Sequence, residues 1–295
     1  MKILAIADMH LTEHRPVCRS ENENWIQVID EKFNQIRDMA EGFCADQIVI
    51  AGDVFDVPAR NTNWFMCQCI TWFDMLKTVC PVNAIPGNHD LIMGDQDSIY
   101  STSFGILEQA GCISIPENLG IIPYGETRIQ GETKAVVAHQ GLWLKEKSFE
   151  GASDSGNVHT WVKEHLPEEC RLLITGHFHV PFCCKSGNTA VINCGSMFRL
   201  RADQVDYQPG MWLIDYDQKS DSVKVKRMPF ILTNQIRRDY IEEEEAEEKK
   251  RLESLVGSVE GDFELSLNFK DNFYNLTSEI DNREEIIKEF ERCTK

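Results

Sequence analysis

The 295-residue chain has no stretch near the ~20 consecutive apolar residues that a helix needs to cross a bilayer, so a helical membrane protein is excluded. Positive charge is scarce: 30 Lys and Arg stand against 48 Asp and Glu, a formal net charge of −18. Sequence-independent affinity for nucleic acid comes from a basic footprint, so a general nucleic-acid coat protein is excluded as well. A nuclease is not, because carboxylates that bind divalent cations are offset by the metal. Met1 to His10 carries one lysine and a short apolar run ending in Asp-Met-His, with no small-residue cleavage site. It reads as a buried strand and not as a signal peptide. Eleven cysteines are an odd number in a large chain without an export signal, which points to a reducing cytoplasm.

What is present is a repeated pattern. Short runs rich in Val and Ile stop abruptly at polar residues able to bind metals: Ile3 to Ala7 before Asp8, Ile48 to Ala51 before Gly52-Asp53, Val82 to Ile85 before Pro86-Gly87-Asn88-His89, Ala135 to Ala138 before His139, and Leu172 to Thr175 before Gly176-His177. Strands buried on both faces look like this. Between them, Trp25, Ile29, Phe33, Ile36 and Ala40 recur at helical spacing, and Trp64 to Leu76 reads as a helix with Asn61 as its N-cap. Strand and helix alternate, so the sequence reads as an α/β sandwich. After His179, Ala190 to Asn193, Met211 to Tyr216 and Val223 to Lys226 read as successive strands. From about Pro229 the texture changes to a charged helix (Arg237 to Leu255), a strand (Phe263 to Phe269) and a second helix (Thr277 to Phe290). From Arg237 onward there are 10 basic and 18 acidic residues, net −8, leaving −10 for the first 236. We therefore expect two parts, residues 1–228 and an acidic appendage over 229–295, whose acidic run reads first as a solvated helix face and second as a partner-docking surface.

A single histidine at a strand end is usually a hydrogen-bonded loop residue. Five strands in succession that deliver Asp, His or Asn are different, because open α/β sheets bind ligands at the carboxyl ends of their strands. The set is Asp8, His10, Asp53, Asn88, His89, His139, His177 and His179. The other three histidines, His14, His159 and His165, have no comparable context and read as surface or helix residues. Mixed nitrogen and oxygen donors suit Mn²⁺, Fe²⁺ or Zn²⁺ better than Ca²⁺ or Mg²⁺, and the cysteines are not placed for a thiolate site. Seven or eight ligands, with four or five imidazoles among them, are too many for one such ion. Two ions sharing a carboxylate would use them all, lower the pKa of a bridging water to give hydroxide near neutral pH, and offset charge on a phosphoryl group during in-line displacement.

The order Asp8-x-His10, Gly52-Asp53, Gly87-Asn88-His89-Asp90, His139 and Gly176-His177-x-His179 resembles the calcineurin-like metallophosphoesterases. The resemblance implies their four-layer α/β/β/α sandwich, here with a short α+β C-terminal appendage that would be a cap remnant or a docking segment. It implies that Asp8, His10, Asp53 and His179 hold one ion and Asp53, Asn88, His139 and His177 the other, with Asp53 bridging. His89 would stand by the scissile phosphate as charge stabiliser or proton donor. Asp56 and Asp90 would act from behind the ligands, Asp90 by orienting a histidine.

Within the family, Asp8 to Leu11, Gly52 to Asp56, Ile85 to Asp90 and the stretch Asn193 to Arg199 are similar to the SbcD-type DNA repair nucleases of bacteria and viruses. That implies Mn²⁺-dependent exo- and endonucleolytic cleavage of DNA, an SbcC-type ATPase partner, and a homodimer as a further option. The location would be cytoplasmic, that of the host cell for a viral protein. The sequence departs from some nucleases of the group by having Asp56 where they carry a second active-site histidine. Arg199 and Arg201, and less directly Lys224, Lys226 and Arg227, are candidate phosphate contacts. Two other classes stay open: a phosphodiesterase or phosphatase of nucleotide-sized substrates, and a binding scaffold on a decayed version of the fold, as in a retromer subunit.

Overall fold

A computed structural model of the chain describes residues 1–19, 24–144, 156–201, 204 and 206–232. In chain order the elements are β1 (Lys2–Ile6), α1 (Trp25–Phe43), β2 (Gln47–Ala51), α2 (Asn63–Lys77), β3 (Val82–Ile85), α3 (Ser103–Gln109), β4 (Gly120–Ile122), β5 (Ala135–His139), α4 (Val158–His165), β6 (Leu172–Gly176), β7 (Phe182–Ser186), β8 (Thr189–Asn193), β9 (Gly210–Asp217) and β10 (Ser222–Pro229). They form two five-stranded sheets, ordered β10-β9-β1-β2-β3 and β4-β5-β6-β8-β7. β1, β2 and β3 run parallel, as do β4, β5, β6 and β8; β9 returns antiparallel to β1, with Leu4 opposite Leu213.

The period of two along each strand sorts side chains into layers. Ile3 and Ala5 of β1, and Val49 and Ala51 of β2, meet Ala135, Val137, Leu172 and Ile174 of the other sheet. Their neighbours Leu4, Ile6, Ile48 and Ile50 face outward and pack on Trp25, Ile29, Phe33 and Ile36 of α1 and Phe65, Cys69 and Phe73 of α2. Across the molecule, Val136, Ala138 and Leu173 pack on Val158, Trp161 and Val162 of α4. Helix, sheet, sheet, helix: this is the expected four-layer sandwich, and its central strands are uniformly apolar because both faces are covered.

Local chemistry sets the helix ends. The Asn24 side chain accepts from the backbone N–H of Gln27, and α1 ends at Cys44 in the left-handed conformation. The cap of α2 is Thr62, whose hydroxyl accepts from Phe65 N at 3.2 Å, and not Asn61, whose amide donates to Ser103 Oγ at 2.9 Å. One strand, β7, has no counterpart in the sequence reading, and Cys183 and Cys184 sit on it exposed and half-exposed. Residues 229–232 stay with the sandwich: Phe230 is buried and the Ile231 carbonyl accepts from Lys32 Nζ at 2.8 Å. The elements expected between Arg237 and Phe290 lie outside the described residues. Among those described, no helix is long and apolar enough to cross a membrane.

Candidate metal centre

The chain leaves β1, β2, β3, β5 and β6 at one rim of the two sheets, and the loops there are shaped by backbone hydrogen bonds. Asp8 N–H donates to the Gly52 carbonyl (3.0 Å), His10 N–H to that of Asp53 (3.1 Å) and Leu11 N–H to that of Val54 (2.9 Å). Asp8, His10, Asp53 and His177 all take left-handed backbone conformations, with φ of 48°, 44°, 52° and 79°. Such conformations are costly for residues with a Cβ and persist only where surroundings enforce them. They end each strand's alternation and turn successive side chains to one place. Gly52 is required twice over: its φ is +89°, and a Cβ there would overlap the His139 imidazole. A Cβ on Gly87 would collide with Asp53 in the same way.

Seven side chains converge as a result. His139 Nε2 lies 3.2 Å from Asp53 Oδ2, 3.2 Å from Asn88 Oδ1 and 3.3 Å from His177 Nδ1; Asn88 Oδ1 is 2.8 Å from His177 Nδ1. On the other side of Asp53, His10 Nε2 is 3.7 Å from Asp53 Oδ2 and 3.1 Å from His179 Nε2. Asp8 accepts the His177 backbone N–H with both oxygens, at 2.9 and 3.1 Å. Three overlapping triplets could each hold a cation: Asp8, His10 and His179; His10, Asp53 and His89; and Asp53, His139 and His177. Geometry alone therefore leaves His89 able to share an ion with His10 and Asp53.

The donor set fits divalent metal. His139 Nδ1 gives its hydrogen to the Ala51 carbonyl (2.7 Å), so in the neutral ring Nε2 offers a lone pair to a carboxylate oxygen, an amide oxygen and another imidazole nitrogen. Lone pairs do not gather without a positive centre. In the metal-free protein a proton supplies it: burial opposes charge on His139, but the bond to Asp53 and the nearby carboxylates outweigh this and raise its pKa to about 9. Asp53 is correspondingly lowered, His139 overcoming its burial. Burial, then the charges of His139 and of His10 respectively, push His177 and His179 down to about 4, leaving both neutral. Burial holds Asp8 up near 6.

The residues around the cluster divide into those that hold it and those facing the cleft beside it. Asp90 is fully buried and accepts backbone N–H groups from Gly87 (2.9 Å), Val54 (3.0 Å) and Phe55 (2.9 Å). The sequence reading has it orienting a histidine; instead, among the described residues, its oxygens are taken by these three main-chain amides and it ties the Gly52 loop to the Gly87 loop. Burial raises its pKa to about 6. Asp56 places Oδ1 3.5 Å from His10 Nδ1, and its carbonyl accepts from His89 Nδ1 at 2.7 Å. Asn193 was not marked as a site residue. It is buried, and its amide donates to the carbonyls of Phe178 and Val180 (2.5 and 2.8 Å) on either side of His179, while Ser196 N–H donates to the His179 carbonyl. Tyr124 places its ring 5.9 Å from that of His177.

A cleft of about 570 Å³ opens from His10, His89 and His179. Arg201 lines it; Arg199 does not, and donates instead to the Tyr207 carbonyl at 2.6 Å. Lys224, Lys226 and Arg227 lie on β10, away from the cleft. His159 and His165 are on α4 and His14 is exposed, all as expected, and His14 also lines the cleft.

A family model described as the calcineurin-like phosphoesterase superfamily domain matches residues 1–219. The chain belongs to that superfamily. This calcineurin-like phosphoesterase is 26% identical, over 273 residues, to the DNA double-strand break repair protein Mre11 of Saccharolobus solfataricus, an alignment covering 82% of the chain and 69% of that protein. It is similar to a solved archaeal phosphodiesterase (14% identity, TM-score 0.40, covering 77% of this chain and 100% of that one) and to Vacuolar Protein Sorting 29 of Cryptosporidium parvum (16% identity, TM-score 0.39, 78% and 98%). The superfamily works with divalent metals, and the phosphoesterase has the side chains to bind them.

Proposed function

We propose that this calcineurin-like phosphoesterase is a dinuclear-metal nuclease of the SbcD type that hydrolyses DNA phosphodiester bonds. The observation that carries the metal part is the position of Asp53, shared between a His139–His177 group and a His10–His89 group. On this reading Asp8, His10, Asp53 and His179 hold one ion and Asp53, Asn88, His139 and His177 the other. The ions, when bound, supply water activation and charge neutralisation at the phosphoryl group. The chain's own residues do the rest. His177 and His179, neutral at pH 7, keep their lone pairs for coordination. His139 is locked by the Ala51 carbonyl so that only Nε2 faces Asp53. His89 gives its Nδ1 hydrogen to the Asp56 carbonyl, which fixes the ring and leaves the other nitrogen for the leaving oxygen. Similarity to a DNA double-strand break repair protein supports DNA as substrate, and the resemblance to SbcD-type nucleases supports Mn²⁺, an SbcC-type ATPase partner and a cytoplasmic location.

The test is hydrolysis by the purified full chain with Mn²⁺, offered linear double-stranded DNA, single-stranded DNA and a small phosphodiester. Degradation of DNA is expected. Hydrolysis of the small ester alone would replace the nuclease by a phosphodiesterase of nucleotide-sized substrates. Failure on every ester, with fewer than two metal equivalents bound, would make the protein a scaffold.

Metal uptake should also release protons. A cation at His139 Nε2 displaces the proton held there below about pH 9, and one at His10, whose pKa the nearby carboxylates also raise against its burial, displaces more, so at pH 7 binding should expel at least about one proton per chain and affinity should fall at least about tenfold per pH unit on acidification. Below about pH 6 the fall should steepen as Asp8 also protonates. Calorimetry in buffers of different ionisation enthalpy measures this directly; proton-neutral binding at pH 7 would contradict the ligand role of His139.

A further inference from the structure

The cleft beside the cluster is cationic on a strongly anionic protein. Its two carboxylates are engaged within the structure: Glu13 accepts from Thr62 Oγ1 at 2.7 Å and its backbone N–H at 3.3 Å, and Asp56 faces His10. Arg15 donates to the Arg19 carbonyl. Arg60 and Arg201 differ. Both are exposed on the cleft lining, and neither guanidinium makes a hydrogen bond or ion pair to another described residue. Arg201 is close enough to His179 for its charge to help depress that ring's pKa. Arg60 sits in a left-handed backbone conformation, φ 76°, one that favours glycine and that a long cationic side chain occupies only at a cost.

We propose that Arg60 and Arg201 grip the phosphates flanking the one being cleaved, so that the site takes a polynucleotide strand and not an isolated diester. This rests on the phosphodiesterase reading above. A single phosphate at the cluster would meet the metal ligands and His89, and would leave two guanidiniums in the same cleft without an anion among the described residues. A strand carries an anion at every nucleotide and satisfies them without further protein charge. The net charge of −18 then has a sense: general attraction to nucleic acid is weak, while Arg60 and Arg201 supply positive charge beside the reacting centre.

The test compares the full chain with R60G, R201A and the double variant, Gly being the residue that the backbone at position 60 accommodates best. Two readouts are needed: kcat/KM on a short single strand against bis(p-nitrophenyl) phosphate, and salt dependence of strand binding in a His89→Ala background that slows cutting. In the double variant the strand should lose about tenfold more than the small diester. The log–log salt slope should drop by about 0.7 for each arginine removed. An unchanged slope, or equal losses on both substrates, would overturn the proposal. Failure of the nuclease reading itself appears in the wild type, as absence of strand cutting where the small diester is hydrolysed; failure of the arginine assignment appears only in the variants.

Discussion

Asp53→Asn should lower metal content from two ions per chain to one or fewer and reduce phosphodiester hydrolysis by about a thousandfold, roughly 4 kcal/mol of lost transition-state stabilisation. The carboxylate stands between the two histidine groups, 3.2 Å from His139 Nε2 and 3.7 Å from His10 Nε2, and its second oxygen accepts the His89 backbone N–H at 2.8 Å. Two cations held a few ångströms apart repel each other, and a shared negative group is what makes the pair tolerable. An amide keeps the shape but removes the charge, and one of its two ends becomes a donor pointed at lone pairs. Metal analysis of the purified variant, alongside His89→Ala, reads the effect. Equal metal content in the two variants would contradict the bridging role.

His89→Ala should leave both metal equivalents in place and cost about 10²- to 10⁴-fold in turnover, the usual range for a positioned proton donor. The alanine variant keeps the backbone N–H that anchors Asp53, so the loop should survive. A further comparison separates proton donation from plain charge stabilisation. Esters with good leaving groups need little protonation, so the variant should lose far more on a DNA strand than on bis(p-nitrophenyl) phosphate. Equal losses on the two would assign His89 to charge stabilisation. Loss of one metal equivalent would make it a ligand, the option that its closeness to His10 and Asp53 allows.

The ligand cluster could be read from the sequence because its chemistry is conspicuous: Asp, His and Asn interrupt apolar strands at the same end five times over, and sheet topology does the rest. Asp90 could be noticed but not interpreted. Its partners are main-chain amides of two loops that come together only in the folded sandwich, and main-chain donors leave no trace in residue identity. Asn193 is illegible for a related reason: its partners are main-chain acceptors, the Phe178 and Val180 carbonyls. His14 and Arg60 lack any periodic or motif context, and only the cleft reveals them. The α2 cap shifted by one residue because Asn61 and Thr62 are both good caps and tertiary contact with Ser103 took the first. β7 is not legible in the sequence because Cys183 and Cys184 on an edge strand give no alternating signal.

β1 gains its second neighbour only when β9 arrives: Lys2 to Ala5 pair with Asp215 to Trp212, more than two hundred positions later in the chain. Asp8 in turn is fastened from the far end, by the His177 amide and by the Met197 N–H on its own carbonyl. During synthesis, then, the first strand leaves the ribosome long before anything can close it, and contacts so distant in sequence make for slow folding. On a growing chain, then, no competent centre can assemble until β9 has been made and has docked on β1.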